Sequence, residues 1–376
     1  KPSCRSHHLM SAEDAHLVLV TGATGYIAGH CVEQLLEAGH RVRGTVRSLS
    51  SRPAKLAHLR AMQERFPDRL ELVEAELLDV ASWAPAVEGC TFVLHVASPF
   101  PSATPKSEDD LIIPAREGTL NVLRAAAAAG VRRAVVTSSV AAVMYGFPRE
   151  RYAEDQPEFT EEDWTDVDGE GCSAYVKSKT LAERAAWDFV ASEAGNGMEL
   201  AVVNPGFVVG PPLGTVGGTS VETITKLLRR DLPKLPRLSF PCVDVRDVAR
   251  IHVRAMTRPQ AAGKRFPATC GTFWFSQMAT LMADEFRPMG YNVPTSEAGS
   301  CLLRFVSVFD KAVRMILPEI GRWRAVSSRQ ARELLDLEFT DLRTTLVDMG
   351  HRLIELGYAP RKPGYRPQGA AAPAVE

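Results

Sequence analysis

Short apolar runs alternate with segments of helical pattern through the first half of this chain. The first run, Leu17–Val20, is four apolar residues long and ends at a glycine-rich turn, which favours a buried parallel strand. A helix is predicted from Tyr26 to Ala38, where Gly39 ends it. The alternation predicts further strands at Arg41–Val46, Leu70–Val73, Thr91–Val96, Arg133–Thr137 and Leu200–Val203. It predicts further helices at Leu111–Ala129, Ser173–Ala194 and Val245–Met256.

Strands that alternate with helices are typical of an α/β fold with a doubly wound parallel sheet, the Rossmann arrangement. Beyond Asn204 the alternation becomes irregular because six prolines interrupt it before Cys242. We therefore expect a smaller C-terminal region there, with residues 243–257 returning to the sheet domain as a helix.

Composition excludes several classes of protein. The chain has 376 residues, of which 45% are hydrophobic and 24% charged, enough to bury a full core. Its formal charge of −1 gives no basic field for nucleic acid or an anionic membrane, and no apolar run approaches the ~20 residues of a membrane span. Seven scattered cysteines predict neither a metal site nor a disulfide framework but reduced thiols in the cytoplasm. The partner is expected to be a small molecule.

The turn after the first strand has the residues of a phosphate-binding loop. Gly22 and Gly25 carry no side chain that would keep a pyrophosphate from the backbone, and the helix behind them offers free N–H groups. A glycine pattern of this kind is often only a packing turn, but its place between an apolar strand and a helix favours dinucleotide binding. The predicted contacts are Thr21, Gly22, Thr24, Gly25, Tyr26 and Ile27.

The charges after the second strand predict which dinucleotide binds. NAD sites place an acid there for the ribose hydroxyls, whereas NADP sites need cations for the 2′-phosphate. Between Glu37 and Glu64 the chain has no acidic residue and six cationic ones. Arg47 is the first candidate for the 2′-phosphate and Lys55 the second; the others include ordinary solvated helix charges. NADP is therefore the predicted cofactor.

A Tyr-x-x-x-Lys step at Tyr175 and Lys179 carries the candidate chemistry. Reduction of a ketone by hydride needs a proton donor, and a lysine one helical turn away lowers the pKa of a tyrosine. Ser139, after the fifth strand, is the candidate that holds the substrate oxygen, with Ser138 as the alternative. A second such step begins at Tyr358, but Pro360 inside it argues against a helix there.

These motifs resemble the extended short-chain dehydrogenase/reductases, in particular the dihydroflavonol reductase-like group and the yeast-type methylglyoxal and carbonyl reductases. The matching stretches are Val20–Ala28, Thr45–Arg47, His95–Pro99, Glu117–Leu123, Thr137–Ser139, Tyr175–Lys179, Asn204–Pro211 and Val243–Ala249. The resemblance implies that Ser139, Tyr175 and Lys179 are catalytic. It implies further cofactor contacts at Glu76, Leu77, Ala97, Ser98, Lys179, Pro205, Gly206, Phe207 and Val208.

The resemblance also bears on the substrate. Plant dihydroflavonol reductases have Asn or Asp where this chain has Met144, which argues against a flavonoid. An apolar pocket is expected instead, although aromatic residues at such positions can equally be core. Its candidate members are Phe100, Met144, Tyr145, Phe207 and Phe240.

The interpretation that joins these features is an NADPH-dependent reductase of an aldehyde or ketone. The alternatives are a sugar-nucleotide epimerase or dehydratase, a hydroxysteroid dehydrogenase/isomerase, and a non-catalytic NADP sensor. For the first of these, the residues that could bind a diphosphate are Arg229, Arg230, Arg246 and Arg250. The polar outer faces of the two long helices predict a monomer or weak homodimer. The expected division is a flexible segment over 1–16, a Rossmann domain with the catalytic residues over 17–210, a mainly substrate-binding region over 211–360, and a flexible tail over 361–376.

Overall fold

The structure, a computed structural model, describes residues 15–50, 53–99, 107–299, 302–304, 307–309 and 311–368. The described chain forms two compact units. The first takes its residues from 1–138, 181–203 and 249–265, and the second from 139–180, 204–248 and 266–376. This division by contacts does not test the domain boundaries expected from the sequence, which stay a prediction.

A seven-stranded sheet forms the centre of the first unit, with the order β3-β2-β1-β4-β5-β6-β9. Neighbouring strands from β3 to β6 pair in parallel, and the order reverses between β1 and β4 as in a doubly wound fold. The predicted fold class is thus confirmed. The strands are β1 (Leu17–Val20), β2 (Arg41–Val46), β3 (Leu70–Glu74), β4 (Phe92–His95), β5 (Arg133–Thr137), β6 (Glu199–Pro205), β7 (Phe207–Val209), β8 (Ser239–Asp244), β9 (Lys264–Ala268) and β10 (Gly271–Trp274).

The helices agree with the sequence pattern within a few residues at each end wherever the pattern predicted one. The pattern predicted none of the other helices; in α2, for example, the large apolar residues are only Leu56, Leu59 and Met62 on an otherwise polar segment. The helices are α1 (Tyr26–Glu37), α2 (Pro53–Arg65), α3 (Trp83–Val87), α4 (Asp109–Ala128), α5 (Ala174–Ala191), α6 (Thr219–Arg229), α7 (Val245–Thr257), α8 (Phe275–Phe286), α9 (Lys311–Ile316), α10 (Arg329–Leu335) and α11 (Leu342–Glu355). In the described part of the chain, none of them is long and apolar enough to cross a membrane.

Apolar side chains of the sheet and of its helices make the core of the first unit. Leu19 and Val93 on neighbouring strands pack with Val122 and Leu123 of α4 and with Trp83, all buried. Buried Arg133 begins β5, where its guanidinium pairs with Glu199 of β6 and donates to three carbonyl groups at the end of α7. A cation is favourable beside the carbonyl groups at a helix C-terminus, so Arg133 holds the end of α7 to the sheet.

The second unit contains a small sheet that the sequence pattern did not predict. Its order is β10-β8-β7, with β7 parallel and β10 antiparallel to β8. Gly206, between β6 and β7, makes this sheet possible because a Cβ there would overlap the carbonyl oxygen of Pro241 on β8. The strands have three to six residues, and Pro241 interrupts β8, so no alternation of apolar and polar residues predicts them.

A buried carboxylate network joins β8 to α11 in the second unit. Asp244, fully buried, accepts hydrogen bonds from the guanidinium of Arg246 and from the hydroxyl of Thr345 at 2.9 Å. Arg246 also pairs with Asp348 at 2.7 Å. The charge of Asp244 stays buried at tolerable cost because it is both paired and hydrogen-bonded.

The second Tyr-x-x-x-Lys step lies outside any helix, as Pro360 predicts. Tyr358 follows α11, and its hydroxyl donates to the carbonyl of Val216 at 2.6 Å and accepts from the N–H of the same residue at 2.7 Å. Its role is to hold a loop in place. Residues 361–368, expected in a flexible tail, pack against α11 in part: Tyr365 is buried beside His351, 3.1 Å from it. Residues 1–14 and 369–376 lie outside the described residues.

Replacing Asp244 by Asn is expected to lower the free energy of unfolding by about 2 kcal/mol, because the hydrogen bonds from Arg246 and Thr345 lose their charged acceptor while Asp348 still pairs with Arg246. Urea unfolding followed by tryptophan fluorescence measures the change. Asp284→Asn is the matched control, since Asp284 pairs with Arg343 at an exposed site and should cost less than about 1 kcal/mol. Equal losses of unfolding free energy in the two variants would contradict a stabilising role of the Asp244 network.

Candidate active site

The glycine turn after β1 has the geometry that close approach of a ligand requires. Gly22 has φ +66°, a left-handed conformation, and a Cβ there would lie 3.1 Å from the Cβ of Ala97. A Cβ on Gly25 would lie 3.1 Å from the carbonyl oxygen of Gly22. Both positions favour glycine for steric reasons that the sequence alone could only suggest.

Gly25 is also the N-cap residue of α1, directly before Tyr26, and has no side chain to cap the helix. The first turn contains no acidic residue either. The N–H groups of such a turn point away from the helix and, with the helix dipole, favour an anion. Thr24, Tyr26 and Ile27 are half-buried around this terminus, as contacts of a bound phosphate should be.

Thr21 has a structural role within the first unit. It is fully buried, and its hydroxyl accepts hydrogen bonds from the N–H groups of Val96 and Ala97 at 3.0 and 2.9 Å. The same hydroxyl lies 3.0 Å from Nδ1 of His95. A cofactor contact at Thr21 stays a prediction, but the side-chain oxygen already has these partners.

The charged residues after β2 divide into structural and available ones. Arg43 pairs with Glu71 and donates to the carbonyl of Glu88 at 2.7 Å, so it belongs to the fold. Arg47 is exposed at the end of the strand, and Lys55 is half-buried on α2. Glu74, an acid that the sequence reasoning missed, accepts a hydrogen bond from the N–H of Leu49 at 2.6 Å. Only strand pairing reveals it, because β3 places Glu74 beside Val46.

The remaining predicted cofactor contacts of the first unit follow β3 and β4. The carbonyl of Leu77 accepts a hydrogen bond from the amide of Asn121 at 3.0 Å, which gives that asparagine a structural role. Glu76 is exposed, and its N–H lies 3.3 Å from the hydroxyl of Ser82. Ala97 is half-buried and Ser98 exposed, so both present surface at the carboxyl end of β4.

The second unit brings Ser139 and Tyr175 together. Their hydroxyl groups form a hydrogen bond, which lowers the pKa of Tyr175, but desolvation by the surrounding protein raises it more, so the pKa lies above the usual value. About half of the side chain, 48%, remains accessible. Tyr175 is thus held by a hydrogen bond, protonated at neutral pH and open to a ligand.

Ser139, rather than Ser138, is the serine that forms a hydrogen bond with Tyr175. The hydroxyl of Ser139 also accepts from the N–H of Ala141 at 3.1 Å, which fixes its rotamer at the start of a short 3₁₀ turn. Ser138 is 7% exposed, and its hydroxyl has no hydrogen-bond partner among the described residues. The amide of buried Asn204 supports the arrangement by donating to the carbonyl of Ser139 at 3.3 Å.

Lys179 lies one helical turn after Tyr175 on α5 and is half-buried. Residues four apart on a helix have their Cβ atoms about 5–6 Å apart on one face, within reach for an ammonium and a phenol. The hydroxyl of Ser178 donates back to the carbonyl of Tyr175 at 2.8 Å. The effect of Lys179 on the pKa of Tyr175 stays a prediction.

Only some of the residues predicted for the apolar pocket are exposed enough to contact a substrate. Phe207 and Phe240 stack with their ring centroids 4.6 Å apart, next to Pro205, Gly206 and Val208, the residues expected at the nicotinamide end. Tyr145 is half-buried and lies in electrostatic range of Tyr175.

Met144, in contrast, is 5% exposed and packs in a small hydrophobic cluster with Val140, Tyr152 and Phe159. Its side chain therefore serves as core. Phe100 lies outside the described residues.

The sugar-nucleotide alternative loses support at one of its four arginines. Arg246, a candidate for a sugar-nucleotide diphosphate, has its guanidinium bonded to two aspartates. Arg229 and Arg230 are exposed at the end of α6. Within the described residues, no group of three or more His, Cys, Asp or Glu side chains is arranged to hold a metal ion.

Known proteins resemble this chain over most of its length. The model of the NAD dependent epimerase/dehydratase family matches residues 18–267. Cinnamoyl-CoA reductase CAD2 of Medicago truncatula is 38% identical over 262 residues, which are 68% of this chain and 77% of that protein. An uncharacterized oxidoreductase of Saccharomyces cerevisiae is 32% identical over 360 residues, 91% of this chain and 98% of its own length. Among solved structures, the NADPH complex of the yeast methylglyoxal/isovaleraldehyde reductase Gre2 superposes with a TM-score of 0.73 at 27% identity, covering 90% of this chain and 98% of that one.

Replacing Ser139 by Ala is expected to raise the pKa of Tyr175 further, because the phenolate loses the hydrogen bond that stabilises it. Ultraviolet titration of the ligand-free protein, compared with the same variant carrying Tyr175→Phe, isolates this tyrosine. Ser138→Ala is the control and should leave the titration unchanged. If the pKa of Tyr175 shifted in Ser138→Ala but not in Ser139→Ala, the hydrogen bond would belong to Ser138 and the assignment to Ser139 would be wrong.

Proposed function

The chain belongs to the NAD-dependent epimerase/dehydratase family, as an extended short-chain dehydrogenase/reductase of the dihydroflavonol reductase-like group, and we propose that it reduces an aldehyde or ketone to the alcohol with NADPH. The family resemblance expected from the motifs is confirmed. The named relatives are reductases, and one of the solved structures is an NADPH complex.

The observation that carries the proposal is the hydrogen bond between Ser139 and the exposed, protonated Tyr175. A carbonyl oxygen that binds at this pair receives two hydroxyl donors. Ser139 then stabilises the negative charge that develops on the oxygen, and Tyr175 supplies the proton that completes the alcohol.

Bound NADPH supplies the hydride that the carbonyl carbon accepts, so one carbonyl, one NADPH and one proton give one alcohol and one NADP⁺. Tyr175 ends this step as a phenolate and must regain a proton from solvent. With the pKa raised in the free protein, the phenolate needs positive charge nearby, and we assign that role to Lys179. The half-buried position of Lys179 on the same helix face supports this role.

The glycine turn fits the pyrophosphate of such a cofactor. A Cβ at Gly22 or Gly25 would lie 3.1 Å from other protein atoms, so the close-packed turn presents bare backbone, and the helix N-terminus behind it favours phosphate. Within this proposal Arg47 binds the 2′-phosphate that distinguishes NADPH from NADH, and Lys55 assists. Glu74 does not counter this role directly, since its carboxylate is engaged by the N–H of Leu49.

The remaining parts of the proposal concern surroundings and assembly. We place the protein in the cytoplasm because its cysteines Cys31, Cys90, Cys172, Cys242 and Cys270 are free thiols. The exposed polar positions of α4 and α5 favour a monomer or a weak homodimer.

Replacing Tyr175 by Phe is expected to lower turnover by about 10²–10⁴-fold, because the ring still packs but the proton donor is lost. Steady-state rates with NADPH and an aldehyde panel, together with fluorescence titration of NADPH, separate chemistry from binding. Tyr358→Phe is the matched control: it should cost about 1–3 kcal/mol of stability but leave turnover unchanged. Near-parental turnover of Tyr175→Phe with intact NADPH binding would exclude the proposed proton donor.

The parent protein is expected to bind NADPH at least about tenfold tighter than NADH, a difference of about 1.4 kcal/mol. Replacing Arg47 by Asp should erase or reverse this preference by repelling the 2′-phosphate. Arg60→Asp, on the exposed face of α2, controls for the change in net charge alone. Equal affinity of the parent protein for both cofactors, measured by fluorescence titration, would refute the assignment.

A further inference from the structure

Two arginine side chains are buried side by side in the second unit. Arg322 and Arg324 are 5% and 4% exposed. One carboxylate, that of Glu319, serves both: it forms a short ion pair with Arg324 and lies 3.9 Å from Nη1 of Arg322. Four guanidinium nitrogens have no hydrogen-bond partner among the described residues, namely Nε and Nη1 of Arg322 and Nε and Nη2 of Arg324.

This arrangement is unfavourable for a purely structural pair. A guanidinium stays charged at any physiological pH, so two cations and one carboxylate leave one buried positive charge without a counterion. Aromatic rings compensate in part: Arg324 lies 4.3 Å from the ring centroid of Tyr145, and both arginines lie within 5.0 Å of that of Tyr152. Cation–π contacts contribute a few kcal/mol at most and leave the N–H donors unsatisfied.

The arginines lie beside the segment that leads into α5 and Tyr175. A Cβ on Gly171 would lie 3.3 Å from Nη1 of Arg322. Arg324 also lowers the pKa of Cys172, three residues before Tyr175, although burial raises that pKa more. The N-terminus of α5, with its positive dipole end, is therefore close to both cations.

Tyr145 connects the arginines to the reactive hydroxyl. Burial raises the pKa of Tyr145 to about 12, Arg324 lowers it, and the charge of a Tyr175 phenolate would raise it. Arg324 and Tyr175 thus both lie within electrostatic range of one phenol.

Acidic side chains near the segment before α5 do not neutralise the excess positive charge of Arg322 and Arg324. Asp166 and Asp168 influence Cys172, but both are exposed, and the carboxylate of Asp166 accepts the N–H of Asp168 at 3.1 Å. Water screens exposed carboxylates, whereas the arginines are shielded from it. Half-buried Glu319 remains the one carboxylate that pairs with the two arginines among the described residues.

We propose that the natural substrate is an oxo acid, whose carboxylate binds the unpaired guanidinium donors of Arg324 and Arg322 while its carbonyl group meets Ser139 and Tyr175. A planar carboxylate matches the paired N–H groups of a guanidinium and carries the single negative charge that offsets the single excess positive one. A phosphate dianion would overcompensate it. This inference rests on the proposed reductase function and adds the substrate class to it.

The parent protein provides the first test, which needs no variant. Oxo acids of increasing chain length are each compared with their methyl esters in NADPH-dependent reduction. At the best chain length the acid is expected to have a kcat/KM about 10- to 100-fold above that of its ester, the value of a charge-assisted hydrogen bond that only the acid forms. Esters preferred at every chain length would overturn the proposal.

Variants then assign the preference to residues. Arg324→Met should abolish the preference for the acid by raising its KM while the ester keeps its rate. Arg329→Met, at the exposed start of α10 on the same stretch of chain, is the matched control and should change neither substrate. Glu319→Gln should lower the KM of the acid, because it removes the anion that competes for the guanidinium groups. If Arg324→Met fails to fold, Glu319→Gln still decides, since a purely structural role predicts no gain in acid affinity.

Failure of this proposal is distinguishable from failure of the proposed function. In one outcome, the parent protein reduces esters and simple aldehydes with NADPH and shows no preference for acids, and Arg324→Met leaves these rates unchanged. That result would refute the oxo-acid substrate but leave the reductase function standing. An absence of NADPH oxidation with any carbonyl compound would refute the reductase itself. A higher kcat/KM for a carbonyl compound with a phosphate group than for the matched compound with a carboxylate would refute the carboxylate assignment alone.

Discussion

The hydroxyl group of Thr21 holds the carboxyl ends of β1 and β4 together at the point where the order of the sheet reverses. It accepts the N–H groups of Val96 and Ala97 where the strands part and backbone pairing ends. Gly22 can then turn in a left-handed conformation against Ala97 and start α1 with its uncapped N-terminus facing outward. A crevice at such a reversal is where doubly wound sheets bind ligands, because helix N-termini converge there. The glycines are effective only because Thr21 fixes both strand ends.

The second unit depends on a comparable constraint around Ser139. Buried Thr165 donates its hydroxyl to the carbonyl of Ala141 at 2.7 Å and accepts the N–H of Tyr145 at 3.0 Å. Gly146, in a left-handed conformation, lets the two segments approach, since a Cβ there would overlap the carbonyl oxygen of Asp166. The loop after Ser139 is therefore rigid, and Tyr175 meets a hydroxyl group whose position is set. Preorganised donors of this kind stabilise charge without reorganisation during the reaction.

Buried charge is treated in two ways in the second unit. Asp244 is fully buried, but its carboxylate is paired with Arg246 and accepts from Thr345, so the buried charge has partners and links elements of the fold. Arg322 and Arg324 share one carboxylate and keep unsatisfied donors. Since burying a charge is costly, a protein retains such an imbalance where a ligand relieves it, and perturbed charges concentrate at functional sites for this reason. The contrast between the two clusters is the physical basis for assigning a ligand to one of them.

The sequence alone was enough for the parallel sheet, the glycine turn and the Tyr175–Lys179 step, because each depends on residues close together in the chain: an apolar run, a tight turn, one turn of helix. Pro360 likewise disqualified the step at Tyr358. Contacts between distant residues were decided by the tertiary structure. Strand pairing brought Glu74 beside the loop after β2, core packing took Met144 out of the expected pocket, and the fold placed Arg324 on the ring of Tyr145. Such juxtapositions follow from packing across many residues, and no local pattern in the chain records them.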